Sequence, residues 1–97
     1  MNKPIQILVV DDSALVRQFM TEVIQTQPDM ALLAAAPDPI IAMSKMQKQW
    51  PDVILLDVEM PKMDGITFLK QIMTQHPTPV VICSKKKKKG AALTMEA

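Results

Sequence analysis

Four side chains with chemical potential stand where apolar runs stop. Asp11 and Asp12 follow the run Ile5 to Val10, Asp57 closes "DVILLD" at 52–57, and Ser84 closes "PVVICS" at 79–84. Adjacent carboxylates repel, and two unit charges 4 Å apart at an effective dielectric of 20 cost on the order of 4 kcal/mol. A protein relieves such crowding by raising a pKa or by binding a cation. An all-oxygen donor set that also meets a phosphate suits Mg²⁺. A carboxylate beside that ion can act as a nucleophile toward phosphorus and give an aspartyl phosphate. The blander alternative is that "DDS" only caps a helix and complements its dipole, that Asp57 begins a turn, and that Ser84 merely ends a strand.

The elements that would position these groups are legible in the punctuation. Pro28, Pro51 and Pro77 each follow a helix-like segment and precede an apolar run, since proline cannot continue a helix. Ile5 to Val10 reads as a strand. A helix follows from about Ser13, a plausible N-cap, to Gln27, with Val16, Phe19, Met20, Val23 and Ile24 at one-face spacing. Met30 to Ala36 is alanine-rich and helix-leaning by composition, but its place between two helices makes it a strand. Asp38 as N-cap and Pro39 at the first helical position start the next helix, with Ala42, Met43, Met46 and Trp50 inward. After Asp57 the loop "VEMPKMDG" leads to a helix from about Ile66 to His76, with Ile66, Leu69, Ile72 and Met73 inward. His76 is expected at that helix end as a C-terminal cap rather than a base. A helix-like start is expected from Ala91 to Ala97.

Strands that do not alternate polar and apolar are buried on both faces, which predicts a parallel sheet covered by helices. Alternating βα units then give an α/β doubly wound sheet, and ligands sit beyond the carboxyl ends of its strands. In the order 2-1-3-4 the strands carrying Asp11, Asp12 and Asp57 are neighbours, so three carboxylates converge.

Composition excludes several classes. The 97 residues are 48% hydrophobic and 22% charged, the balance of one globular domain. No run approaches the about 20 apolar residues of a membrane span, and the first apolar run is too short and wrongly flanked for a signal peptide. The lone Cys83 cannot form an internal disulfide. Cytoplasmic localisation is the expectation. The net charge of +1 hides a block, Lys85 to Lys89; with those five set aside, six basic residues face ten acidic ones. Neither nucleic-acid nor membrane binding is expected.

The segments "ILVVDDS", "VILLDVEMPKMDG" and "PVVICS" resemble the receiver domain of two-component response regulators over residues 5–84. "DDSALVRQFM", "APDP" and "DVEMPKMDG" are similar to the receivers of the chemotaxis protein-glutamate methylesterases, the CheB type. The resemblance implies a flavodoxin-like sheet with Asp57 as phosphoacceptor and Ser84 as switch hydroxyl. Mg²⁺ would be held directly by Asp12, Asp57 and the backbone carbonyl of Glu59, with Asp11 acting largely through water. Met60, Pro61 and Gly65 would shape the loop after the acceptor. It implies a histidine kinase, CheA, as phosphodonor, and control of a C-terminal methylesterase and glutaminase domain.

Against that family pattern, residues 1–97 are expected to be an incomplete receiver, cut off after strand four. The fifth strand with its lysine, the fifth helix and the esterase domain would lie beyond, and strand four would be an exposed edge. No Ser-His-Asp set is present, so the segment itself reads as regulatory rather than hydrolytic. "KKKKKG" departs from the family; lysines there could stand in for the lost lysine, but a solvated or artificial loop is the simpler reading. Two other functions share these residues: an aspartate-nucleophile phosphohydrolase of the haloacid dehalogenase type, which would want an aspartate where Glu59 stands, and an interaction module that is never phosphorylated.

Overall fold

The computed structural model describes residues 3–57, 65–83 and 93–94. In chain order the elements are β1 (Ile5–Val10), α1 (Ala14–Gln25), β2 (Met30–Ala36), α2 (Pro39–Lys48), β3 (Val53–Asp57), α3 (Gly65–Gln75), β4 (Val80–Cys83) and β5 (Leu93–Thr94). One sheet runs in the order β2-β1-β3-β4-β5. The first four strands pair in parallel, as their continuous aliphatic sequences require.

Two apolar layers hold the sheet. On one side Leu8, Val10, Ala36, Ile54, Leu56 and Val80 pack with Ala42 and Met46 of α2 and with Phe68 and Ile72 of α3. On the other, Ile7 and Val9 pack with Ile24 of α1, joined by half-buried Met20, Leu32, Ala35, Val53 and Leu55. Successive strand residues therefore go to opposite layers, the two-residue period of a pleated strand. The β1–β2 register moves by one between Ile7, opposite Leu32, and Leu8, opposite Ala34, so Leu33 is the extra residue of a bulge.

The helix starts follow local chemistry. The Ser13 hydroxyl accepts from the Val16 N–H at 3.2 Å, and the Asp38 carboxylate accepts from the Ile41 N–H at 2.9 Å with Pro39 next in the chain. Both satisfy donors that a helix start leaves open. The alanine-rich segment is a strand: pairing with β1 along its whole length outweighs alanine's helical preference.

Expectations for two helix faces and for the last segment are corrected. In α1 only Ile24 is buried; Phe19 and Val23 are exposed, because the face laid on the sheet is Val16, Met20 and Ile24 together with Arg17 and Thr21. In α3 the buried pair is Phe68 and Ile72, whereas Ile66 and Met73 are exposed. Both segments hold more apolar residues than one face can cover, so periodicity alone left the helix rotation open. Residues 93–94 form a strand instead of a helix start. Leu93 and Thr94 pair antiparallel with Cys83 and Ile82, so the parallel part ends at β4 as expected but its outer edge is partnered there.

His76 does not act through its ring as a cap. The imidazole stacks on the indole of Trp50, with ring centroids 4.9 Å apart and planes 8° from parallel. Below them Thr78 Oγ accepts from Trp50 Nε1 and donates to the His76 carbonyl, both at 2.7 Å. This cluster closes the amino ends of the strands, opposite the carboxylates.

Candidate acidic site at the carboxyl ends of the strands

The site follows from register. Val10 is opposite Leu56, so the next residues, Asp11 and Asp57, stand level on adjacent strands, which run about 4.8 Å apart. One carboxylate oxygen from each of Asp11, Asp12 and Asp57 lies within 4.8 Å of the others. Asp11 and Asp57 are 3% and 1% exposed, while Asp12 faces solvent. Two enclosed carboxylates thus lie beside one accessible carboxylate.

Asp11 is fixed on three sides. Its N–H donates to the Ala36 carbonyl at 3.0 Å, its Oδ1 accepts from the Ser13 N–H at 2.8 Å, and its carbonyl accepts from Arg17 Nη1 at 2.7 Å. The capping reading of "DDS" is thus correct for Ser13, one oxygen of Asp11 closes a turn ahead of that cap, and the convergence with Asp57 exists beside both. Arg17 was not singled out from the sequence. Its signal was a cation on the sheet-facing side of a helix, one turn after the N-cap.

The donor set fits a divalent cation. The three groups are hard, anionic oxygen donors, the set that Mg²⁺ and Ca²⁺ take and that softer metals do not prefer. A bound dication also offsets the mutual repulsion that burial of Asp11 and Asp57 strengthens. Ser84, Glu59, Met60 and Pro61 lie outside the described residues, as do Lys85 to Lys89; Gly65 is the first residue of α3. Among the described residues no helix is long and apolar enough to cross a membrane.

Comparison with known proteins agrees with this geometry. The response regulator receiver domain family matches residues 7–97. A protein-glutamate methylesterase/protein-glutamine glutaminase of Chromobacterium violaceum is 54% identical over 93 residues, 96% of this chain and 26% of that protein. One from Pseudomonas syringae pv. tomato is 58% identical over 95 residues, 98% of this chain and 26% of that protein. The chain therefore spans about a quarter of the length of the curated relatives it matches. Among solved structures, the response regulator domain of Thermotoga maritima CheB superposes with a TM-score of 0.80 at 43% identity, covering 93% of this chain and 67% of that one. A chain from the complex of the CheA3 P1 domain with CheY6 of R. sphaeroides gives 0.78 at 33% identity, covering 93% and 70%. The family decides between the receiver and the dehalogenase-type phosphohydrolase in favour of the receiver. Parallel sheet, level aspartates and matching relatives converge: the chain belongs to the response regulator receiver domain family and is of the CheB type.

Proposed function

We propose that Asp57 is the phosphoacceptor of a chemotaxis signalling switch, loaded by a histidine kinase of the CheA type. The observation that carries this reading is the nearly full burial of Asp57 beside Asp11 and Asp12, with one oxygen of each within 4.8 Å of the others. In the reaction an Asp57 oxygen attacks phosphorus in line with the leaving imidazole. The O–P bond forms as the P–N bond of the phosphohistidine breaks, and the imidazole nitrogen keeps the bonding pair and takes up a proton. Asp12, Asp57 and the Glu59 carbonyl would hold Mg²⁺, with Asp11 acting mainly through water, and the ion supplies charge neutralisation to the phosphoryl oxygens. The sheet keeps the acceptor from moving, so most of the protein's contribution is positioning.

In the same reading the Ser84 hydroxyl reports the phosphoryl group to the rest of the domain, and the output is control of an attached methylesterase domain of the kind named in the relatives. The kinase partner is supported by the P1 complex among the similar structures. Residues 1–97 then form the receiver portion, operating in the cytoplasm without nucleic-acid or membrane contact. The test is exposure to acetyl phosphate with Mg²⁺, followed by intact-mass analysis. One added phosphoryl group, absent in Asp57→Asn and after chelation, is the expected result; a folded chain that gains no mass refutes phosphoacceptor activity in this chain.

A further inference from the structure

Among the described residues, the Arg17 guanidinium reaches a backbone oxygen at the acidic cluster. Its Nη1 donates to the Asp11 carbonyl at 2.7 Å across six residues. Side chains on a helix lean toward its amino end, so a long residue one turn into α1 can reach back over the loop it follows. The guanidinium is a rigid, permanently charged donor, and this one is half-buried on the sheet-facing side of α1.

That carbonyl belongs to the peptide joining Asp11 to Asp12. Peptide units are planar, so holding the oxygen also sets the direction of the Asp12 N–H and the place of the Asp12 Cα. The Ser13 N–H bond to Asp11 Oδ1 closes a ring that includes this same peptide, so it and the Arg17 bond hold the unit from two sides, while the Asp11 N–H bond to Ala36 fixes the peptide before it. Asp12 is the exposed member of the acidic cluster. We infer that Arg17 is a positioning residue for divalent-metal binding, fixing the Asp11–Asp12 peptide so that the Asp12 carboxylate meets those of Asp11 and Asp57. This rests on the metal-binding reading of the cluster given above.

The sign of the effect separates positioning from charge. A cation next to a metal site repels the metal, so if Arg17 acted only through its charge, removing it would tighten binding. If it positions Asp12, removing it weakens binding. Arg17→Met keeps the apolar stem and removes the donors, and Arg17→Lys keeps the charge with a shorter, single-headed donor. Mg²⁺ titration by calorimetry, on samples shown folded by circular dichroism and Trp50 emission, reads the outcome. The expected result is a loss of roughly tenfold in Mg²⁺ affinity for Arg17→Met, the lower end of what lost outer-shell partners cost, and a smaller loss for Arg17→Lys. Unchanged or tighter binding in folded Arg17→Met overturns the inference while leaving the metal site intact. Should Arg17→Met not fold, Arg17→Lys decides by the same criterion. A wild-type chain that binds no Mg²⁺ ends both this inference and the metal-binding reading beneath it.

Discussion

The indole of Trp50 and the imidazole of His76 lie 4.9 Å apart and nearly parallel, joined underneath by the hydroxyl of Thr78. Trp50 is the chain's one tryptophan, so its emission reports on this far end of the sheet. Thr78 is 4% exposed and serves Trp50 and His76 at once. Thr78→Val leaves the indole N–H without that acceptor and is expected to cost about 1–3 kcal/mol, whereas His76→Ala, losing one stacked ring, should cost about 0.5–1.5 kcal/mol. Urea denaturation followed by Trp50 emission measures both, and a larger loss from His76→Ala would reverse the assignment.

The helix rotations give a second contrast. Phe68 is fully buried between α3 and the sheet, and Ile66 two residues earlier is 43% exposed. Phe68→Ala should lower stability by about 3–5 kcal/mol, enough to unfold a marginal domain. Ile66→Ala should stay within about 1 kcal/mol. Equal losses in chemical denaturation would mean that α3 is rotated from the position described.

Caps supply the third. Ser13→Ala removes the acceptor for the Val16 N–H and is expected to cost about 1 kcal/mol; Asp38→Ala, at a more enclosed cap, should cost up to about 2 kcal/mol. Thermal melts rank the two. Mg²⁺ affinity should be preserved in Asp38→Ala, because α2 contributes no carboxylate to the cluster.

Electrostatic crowding gives the fourth. Without divalent metal, Asp57→Asn removes one of three converging charges and should raise stability by about 1–2 kcal/mol, a screened fraction of the Coulomb cost. Saturating Mg²⁺ should stabilise the wild-type chain by mass action and leave the variant nearly unmoved. Paired melts with and without Mg²⁺ check this, and a destabilised variant in chelator would show that Asp57 contributes more through its bonds than it costs through repulsion.

The sequence carried the strand ends, because breaks in aliphatic runs and the βα alternation are one-dimensional signals; the order β2-β1-β3-β4 agrees with the 2-1-3-4 arrangement expected for such a sheet. That Asp11 and Asp57 stand level depends on the Val10–Leu56 register, which the structure supplies. What it did not carry was rotation and reach. Phe19 and Val23 fit the apolar period of α1 yet lie outside, and Phe68 sat off the expected face of α3. Arg17, a cation one turn after the N-cap, was not singled out because its partner is a backbone oxygen, which no residue type announces. Ser84 and Glu59 fall outside the described residues.

The bulge at Leu33 reaches further than its size. It advances β2 by one position, so that Ala36 rather than Ala35 ends beside Val10 and offers its carbonyl to the Asp11 N–H. A chain shortened by that single residue would have to choose between turning the alanine layer inside out and unhooking the aspartate loop. A spacer three positions before Ala36, the residue that holds the Asp11 amide, thus works as the setscrew of the whole acidic mouth.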